Sequence, residues 1–272
     1  MQKEGKKTAE NTIFYIILGI LPFLAALICL GIGRYSMSVS ETVTTLFSRF
    51  TNAKVDNTAY TVIFNVRLPR IILAAVVGAG LSCAGAAFQG LFSNPLATPD
   101  TLGVASGASF GAVLAMLIGG NMIGIQGMAL IFGLISCLIT FLIGRSSRRG
   151  SIVMIVLAGL VVSSVFEALV SLMKYVADPQ DELPVITYWL MGSMSRANYK
   201  NLVMGIPFIV IGIIIIFALR WRLNILSFNE DEARSLGVNV KILRAAFILA
   251  SSMITALSLI HISEPTRPEP IS

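Results

Sequence analysis

The chain has 272 residues, of which 56% are hydrophobic and only 12% are charged. A soluble domain usually carries about 25% charged residues, so this composition excludes an ordinary soluble protein and indicates a membrane protein. The net charge of +6 does not indicate a nucleic-acid partner, because the cationic residues lie between apolar runs, where they determine membrane topology.

Long apolar windows recur along the chain. A bilayer core of about 30 Å requires roughly 20 apolar residues per helix. Seven windows meet this requirement, at about 12–33, 71–92, 101–120, 123–144, 151–173, 201–219 and 242–260. The three cysteines fall inside these windows without the spacing of metal ligands, so we expect small buried side chains, no metal site and no cofactor. The predicted fold is therefore all-α, a polytopic bundle of transmembrane helices.

Basic residues cluster before the first window, after the fourth and after the sixth. The three clusters are Lys3, Lys6 and Lys7, then Arg145, Arg148 and Arg149, and then Arg220, Arg222, Arg234, Lys241 and Arg244. Lysine and arginine are enriched in cytoplasmic segments, so we expect a cytoplasmic N-terminus. The segment between the first two windows departs from this rule, since it would lie outside and yet carries Arg34, Arg49, Lys54, Arg67 and Arg70.

The stretch from Arg67 to Gly111 reads RLPRIILAAVVGAGLSCAGAAFQGLFSNPLATPDTLGVASGASFG. Its first part is crowded with glycine and alanine, which let helix backbones approach closely within a membrane. The segment from Asn94 to Asp100 then breaks the helix, because proline lacks an N–H donor and disfavours helix in the preceding residue. The whole stretch resembles the FecCD permeases, which are membrane subunits of ABC importers for iron–siderophore complexes, haem and vitamin B12.

The resemblance implies several partners. A FecCD permease works with an ABC ATPase subunit, an extracytoplasmic substrate-binding protein and a second permease copy or paralogue. Arg67 and Arg70 occupy the RLPR positions whose arginines dock acidic residues of the binding protein, and this role would account for the cations on the outer side. The alternative is that both arginines only extend to the lipid headgroups, as arginines at helix ends commonly do.

The polar segment between the last two windows predicts a short amphipathic helix at about 228–236. Ser227 is placed to cap it, Glu230 follows three residues later as in a capping box, and Gly237 is placed to end it. The segment resembles the coupling helices of ABC importer permeases, in which a Glu-Ala-Ala run followed by glycine fits a cleft on the ATPase; a plain surface helix is the alternative. The residues assigned to this coupling element are Ser227, Glu230, Glu232, Ala233, Leu236 and Gly237.

The sequence contains no G-x-x-x-x-G-K-[ST] motif, so we expect no ATP hydrolysis by this chain and no enzymatic activity. Gly103, Gly107 and Gly111 recur every four residues within an apolar window, which favours helix packing over a nucleotide loop. Glu167 is the acid deepest within a predicted span. It either lines a transport pathway or makes a structural pair, with Lys174 as one choice.

The end of the chain has an unusual sequence. From Leu257 it reads LSLIHISEPTRPEPIS, which matches the translation of a transposase-type sequencing adapter. We therefore expect a C-terminally incomplete permease domain over 1–256 and a tail of non-native origin over 257–272. About seven of the ten helices that the resemblance implies would then be present, and His261 receives no functional weight.

Together these features predict a multi-pass protein of the bacterial plasma (inner) membrane. The predicted function is the permease subunit of an ATP-driven importer for an iron–siderophore or a related metal chelate, working by alternating access. The alternative is an ion-coupled secondary transporter. That class usually needs several intramembrane ionisable residues, and Glu167 is the single such residue that the predicted spans offer.

Overall fold

The computed structural model describes residues 2–51, 54–95, 97–145, 152–194, 197–226, 235, 237 and 239–262. All regular elements within these ranges are helices, so the all-α prediction is confirmed. The α-helices are α1 (Gln2–Gly31), α2 (Val39–Thr51), α3 (Asn57–Thr61), α4 (Leu68–Phe92), α5 (Val104–Leu117), α6 (Met122–Arg145), α7 (Ile152–Val176), α8 (Glu182–Met191), α9 (Tyr199–Leu226) and α10 (Val240–Ile262).

Two shorter helical elements interrupt this series. A π-helix, Val62–Arg67, joins α3 to α4, and a 3-10 helix, Pro99–Leu102, precedes α5. The chain also divides into two compact units. The first unit comprises Met1–Ala75 and Ala197–Leu202, and the second comprises Val76–Arg196 and Val203–Ser272.

Six helical stretches in the described ranges are long and apolar enough to cross a membrane. They are Thr12–Gly31, Asn57–Phe92, Met122–Gly144, Met154–Val176, Gly205–Leu226 and Ile242–Leu259. The seventh predicted window, 101–120, is wrong as a full-length span, because its helix α5 has 14 residues. At 1.5 Å per residue α5 extends about 21 Å, which is less than the bilayer core of about 30 Å. The predicted topology treats residues 101–120 as one crossing of the membrane, and this topology stays a prediction.

Within the first unit, a proline explains the π-helix before α4. Pro69 has no N–H and cannot donate to a carbonyl of the preceding turn. The backbone widens just before it, where the N–H of Leu68 donates to the carbonyl oxygen of Ile63, five residues earlier. The next carbonyl oxygen, that of Phe64, accepts a hydrogen bond of 2.7 Å from the hydroxyl of Tyr199. A side chain thus supplies the donor that the proline lacks.

Within the second unit, α5 is the most enclosed helix and contacts α6, α7, α8 and α10. With 14 residues α5 is too short to cross the membrane, but none of its residues is exposed, so α5 forms the centre of the packing. Phe110 meets Phe132 edge to face at 5.0 Å and lies 5.7 Å from Phe166. These rings join α5 to α6 and α7 in a core that also includes Val113, Val162, Val170, Ala177 and Ile186.

Glycines allow α5 and α6 to approach closely. A Cβ at Gly107 would lie 2.6 Å from the carbonyl oxygen of Phe132, and one at Gly111 would lie 2.3 Å from that of Met128. These distances leave no room for a side chain, so the prediction that the glycine repeat packs helices is confirmed for both positions. In α4 the expectation holds at Gly80, which faces Ile209 and Ile254, whereas Gly78 has open space beside it.

Helix α10 continues past Ala256 to Ile262. A tail of non-native origin is expected to pack poorly against the rest of the protein, and this expectation is wrong for Leu257 and Ser258, which are buried in the second unit. The sequence LSLIHI is apolar enough to prolong a helix whatever its origin. The non-native origin of 257–272 stays a prediction, which sequencing of intact genomic DNA would test; residues 263–272 lie outside the described part of the chain.

Candidate functional site

The break after α4 is built by prolines and a threonine cap. Pro95 and Pro99 cannot continue an α-helix. Thr98 adopts an extended conformation, and its hydroxyl accepts from the N–H of Thr101 while the hydroxyl of Thr101 accepts from the N–H of Thr98. This reciprocal pair starts the 3-10 helix, and Gly103, with φ of +75°, ends it. The predicted helix break from Asn94 to Asp100 is therefore confirmed.

The irregular segment lies beside two apolar helices, within the length of their candidate spans. The hydroxyl of Ser136 donates to the carbonyl oxygen of Gly103 at 2.7 Å, and that of Thr140 donates to the carbonyl oxygen of Leu102 at 3.0 Å. Both donors are buried within the span formed by α6. Irregular backbone at membrane depth is tolerated where protein satisfies its polar groups or where it lines an aqueous cavity. Here α6 satisfies two of those carbonyls.

Helix α7 holds the segment from its other side. A Cβ at Gly159 would lie 1.8 Å from the carbonyl oxygen of Thr101, so only glycine permits this approach. A Cβ at Gly103 would likewise collide with the hydroxyl of Ser136, at 2.7 Å. The segment Pro99–Leu102 is therefore clamped between α6 and α7, and its position is fixed by the packing of both helices.

Two acidic residues lie on an exposed face beside this segment. Glu167 on α7 is exposed, and its Oε1 accepts a hydrogen bond of 3.2 Å from the hydroxyl of Ser106 on α5. Asp100 of the 3-10 helix is also exposed. Of the two roles predicted for Glu167, the structural one gains Ser106 as a partner on a neighbouring helix. The pathway role, which requires an accessible side chain, stays a prediction.

Arg67 is only 8% exposed, within the first unit. Its guanidinium donates to the carbonyl oxygens of Leu30 and Tyr35. Leu30 belongs to the last turn of α1, where carbonyls lack an N–H partner within the helix. A Cβ at Gly33 would lie 2.7 Å from Nη2 of Arg67, so the chain passes directly over the guanidinium. Through these contacts Arg67 holds the end of α1 in place.

Arg70, the other arginine of the RLPR sequence, is half-buried at the start of α4 and has a polar or electrostatic contact of its own. Because the charge of Arg67 is already engaged inside the first unit, the docking hypothesis rests mainly on Arg70. The coupling element falls largely outside the described residues, which omit Ser227, Glu230, Glu232, Ala233 and Leu236. Gly237 is described, and its φ of +75° is the left-handed conformation that typically ends a helix.

Some residues of this site were missed by the sequence reasoning. Asp100 was treated only as part of a helix break, although an acid between two apolar windows is a usable signal of function. Ser136 and Thr140 give no such signal, because hydroxyl residues within a span commonly bond to their own helix. Their role is set by the neighbouring 3-10 helix. Trp189 of α8 is 1% exposed and belongs to the packing of the second unit.

Comparison with known proteins places these features in a family. The sequence model of the FecCD transport family matches residues 20–262. The chain is 40% identical over 240 residues to the molybdate import system permease protein MolB of Haemophilus influenzae, a match that covers 88% of this chain and 71% of that protein. It is 31% identical over 252 residues to the hemin transport system permease protein HmuU of Yersinia pestis, covering 88% of this chain and 71% of that protein.

The fold is also similar to a solved structure. That structure is described as an inward-facing conformation of a candidate metal-chelate type ABC transporter. The two chains align with a TM-score of 0.76 and 38% sequence identity, and the alignment covers 92% of this chain and 76% of the other. Sequence and fold therefore lead to the same class of protein.

Proposed function

The chain belongs to the FecCD transport family of ABC transporter permeases, and from this membership we propose that it forms the transport pathway for an iron–siderophore complex or a related metal chelate. As a permease it is a transport subunit of the membrane, and a separate ATPase subunit hydrolyses the ATP. The alternative of an ion-coupled secondary transporter receives no support from the family or from the relatives.

The clamped segment around Pro99–Leu102 is the observation that carries the assignment of a pathway. Its backbone is irregular at membrane depth, its carbonyl oxygens accept hydrogen bonds from α6, and Asp100 within it is exposed, as is Glu167 on α7. Intramembrane acids usually face a bundle interior or a water-filled path. We therefore assign Glu167 and Asp100 to the lining of the pathway, with Ser106 orienting the carboxylate of Glu167.

Two features of the relatives support a metal chelate as substrate. The structurally similar transporter is described as metal-chelate type, and HmuU is named for hemin transport. A second candidate, molybdate, is supported by the 40% identity to a permease named for molybdate import. The two substrates differ in size and charge, so uptake measurements distinguish them.

The test is deletion of the gene in the organism that encodes the protein, followed by uptake of radioactive ferric siderophore and of radioactive molybdate. We expect ferric siderophore uptake to fall by roughly tenfold or more and to return when the intact gene is supplied. Loss of molybdate uptake alone would establish the second candidate. Unchanged uptake of both, together with unchanged hemin uptake, would contradict the proposed substrate class.

The same assay tests the lining residues. Glu167→Gln keeps the size of the side chain and its ability to accept from Ser106 but removes the charge. If the charge lines the pathway, Glu167→Gln reduces uptake several-fold, whereas Ser106→Ala, which removes only the hydrogen bond, has a smaller effect. Equal uptake by wild type and Glu167→Gln, at equal protein levels in the membrane, would assign Glu167 a structural role.

We further propose the arrangement of the complex. The N-terminus lies in the cytoplasm, a second permease copy or paralogue completes the pathway, and a substrate-binding protein docks near Arg70. The residues 228–236 form the element that receives force from the ATPase. The charge pattern of the basic segments supports the orientation, and the left-handed conformation of Gly237 supports a helix that ends there.

A further inference from the structure

Helix α2 of the first unit carries an apolar stripe that the protein leaves uncovered. Val39, Val43, Phe47 and Phe50 follow one another at spacings of four, four and three residues, which places them on one side of an α-helix. Their exposed fractions are 80%, 48%, 52% and 86%. Two phenylalanines and two valines thus form a continuous exposed surface along the whole of α2.

The opposite arrangement holds on the side that faces the protein. Thr42 and Thr45 are 7% and 0% exposed, and they are the buried residues of α2. A helix on the surface of a soluble protein turns its apolar stripe inward and its threonines outward. Because α2 does the reverse, its apolar stripe is matched to an apolar environment other than the protein.

A third face of α2 is polar and exposed. Successive residues of an α-helix are about 100° apart, so Ser40 and Thr44 lie beside the apolar stripe and away from the buried threonines. Both are exposed, and the hydroxyl of Thr44 donates to the carbonyl oxygen of Ser40 at 2.8 Å. Helix α2 therefore has one side for the protein, one apolar side and one side suited to water.

The chain position of α2 places it at a membrane surface. Helix α1 before it and the stretch Asn57–Phe92 after it both have the length and hydropathy of membrane spans. The large apolar side chains of α1 from Ile13 to Ile28 are exposed, as expected for a helix in contact with lipid. Since only seven residues separate the end of α1 from the start of α2, the apolar stripe begins close to a helix surface that is suited to the bilayer.

We propose that α2 is an interfacial helix whose apolar stripe, Val39, Val43, Phe47 and Phe50, inserts into the boundary between headgroups and acyl chains of the phospholipid bilayer. Interfacial helices bury an apolar face about 5–10 Å into this boundary and keep cations on the polar side. The exposed Arg34 and Lys54, which precede and follow α2 in the chain, supply such cations, in a segment that also carries Glu41 and Asp56. Arg49 lies on the side of the buried threonines, with its guanidinium 5.8 Å from the ring centroid of Phe64. Long cationic side chains can reach lipid phosphates while their stems cover apolar surface.

Insertion of α2 also gives the cations between the first two spans a role. They exceed the acids of the same segment, although the predicted topology places the segment outside, where basic residues are disfavoured. Contact with anionic headgroups offsets this departure. The apolar stripe itself carries no charge, so it does not match the acidic surface that the arginines would dock.

The experiment uses the full chain with Cys29, Cys83 and Cys137 replaced by alanine, a single cysteine at Phe47→Cys, and a polarity-sensitive fluorophore attached to it. The protein is reconstituted in vesicles whose lipids carry a nitroxide quencher near the glycerol end of the acyl chain. Thr44→Cys is the control on the polar side of α2, about 60° around the helix axis from Phe47 and about 120° from Phe50, so the contrast with position 50 is the larger one. We expect quenching at position 47 to exceed that at position 44 by roughly threefold or more, because the nitroxide lies at the depth of an interfacial helix.

A second variant, Phe50→Cys, repeats the measurement at the most exposed position of the stripe and serves if Phe47→Cys does not fold. Quenching by aqueous iodide should show the reverse order, with position 44 more accessible than positions 47 and 50. Equal quenching of all positions by iodide, with none by the lipid nitroxide, overturns the proposal. Protection from iodide that arises only when the purified binding protein is added would identify a protein partner and also overturn it.

Discussion

At the scale of single residues, three carbonyl oxygens accept a hydrogen bond from a side chain that is distant in the sequence. They belong to Leu30, Phe64 and Leu102. The donors are Arg67, Tyr199 and Thr140. Each carbonyl lies at a helix end or one turn before a proline, where the regular backbone partner is missing. In an apolar environment an unpaired carbonyl costs several kcal/mol by water-to-hydrocarbon transfer, roughly 2–7. These side chains therefore make the irregular backbone tolerable.

The burial of Arg67 leads to a prediction about stability. Arg67→Met removes both hydrogen bonds to the end of α1 and leaves the carbonyls of Leu30 and Tyr35 without this donor. We expect the free energy of unfolding to fall by roughly 1–3 kcal/mol, the usual cost of an unsatisfied buried group. The midpoint of thermal unfolding in detergent measures this change. Arg34→Met, at an exposed arginine of the same unit, is the control and should change the midpoint little.

The hydrogen bonds to the carboxylate of Asp178 lead to a prediction about the pH dependence of stability. The N–H of Asp181 and the N–H of Gln180 donate to Oδ1 of Asp178 at 3.0 and 2.8 Å, and these bonds lower the pKa of the Asp178 carboxyl below its ordinary value. A group whose folded pKa is lowered stabilises the fold above its unfolded pKa, about 3.9, and loses this contribution as the pH falls through the folded pKa.

We therefore expect Asp178→Ala to lower the unfolding midpoint at neutral pH and to approach the wild-type midpoint as the pH is reduced below about 4. Asp181→Ala is the control, because the Asp181 side chain makes no capping hydrogen bond to α8. A difference between Asp178→Ala and wild type that stays constant from neutral to acidic pH would show that the carboxylate is not the stabilising species.

At the scale of elements, α5 shows how a short helix is accommodated in a membrane protein. Its 14 residues cannot span a bilayer, yet other helices enclose it and the 3-10 helix continues it toward α4. The glycines of α5 let its backbone approach that of α6 closely, so the two backbones make contacts that large side chains would make in a helix facing lipid. The short length of α5 and its glycines therefore both allow it to pack among the neighbouring helices.

Two glycines of this helix pair give a matched test. A Cβ at Gly111 would lie 2.3 Å from the carbonyl oxygen of Met128, whereas a Cβ at Gly127 on α6 would have no atom within 4 Å. Alanine is intrinsically better than glycine within a helix by about 1 kcal/mol. We expect Gly127→Ala to be neutral or stabilising. Gly111→Ala should lower the free energy of unfolding by roughly 1–3 kcal/mol, because the helices must move apart.

Thermal unfolding and the yield of monodisperse protein in detergent measure both variants. The packing interpretation requires opposite signs for the two substitutions. If Gly111→Ala is as stable as Gly127→Ala, α5 and α6 can separate without cost, and the close approach is not essential to the second unit.

At the scale of the whole molecule, the family places the chain in an assembly with an ATPase. For the coupling element we expect Ala233→Arg to uncouple ATP hydrolysis from transport, because a large charged side chain cannot enter an apolar cleft on the ATPase. Transport by the reconstituted complex should fall by at least about tenfold while the basal hydrolysis of the ATPase persists. Wild-type transport by Ala233→Arg would show that residues 228–236 are not the coupling element.

The outer side of the assembly gives a second prediction. Arg70→Glu should weaken the affinity of the substrate-binding protein by roughly fivefold, as expected when a partly exposed charge pair is reversed, and added salt should reduce the difference. Arg67→Met should leave that affinity nearly unchanged if Arg67 only stabilises the end of α1. Surface plasmon resonance with the permease in nanodiscs measures both. An Arg70→Glu affinity equal to wild type at low salt would contradict docking at Arg70.

The sequence alone determined the class of the fold. The length and apolar content of the windows were sufficient to locate six of the seven predicted spans, because a bilayer requires about 20 apolar residues per helix whatever the neighbouring helices do. The two prolines before Asp100 likewise fixed the helix break, since they remove backbone donors locally. The RLPR stretch and the small-residue helix carried the family resemblance, which the comparisons confirmed.

The tertiary structure decided what these local patterns could not. Arg67 reads as a surface charge in the sequence, but its guanidinium lies over the end of α1 because two carbonyls there need a donor. The window at 101–120 reads as a span, but the threonine cap and the close contact with Gly159 hold its first residues in a 3-10 helix. The threonine cap is local, but the contacts of Arg67 with α1 and of Gly159 with Thr101 join residues more than 30 positions apart, and a local pattern carries no information about them.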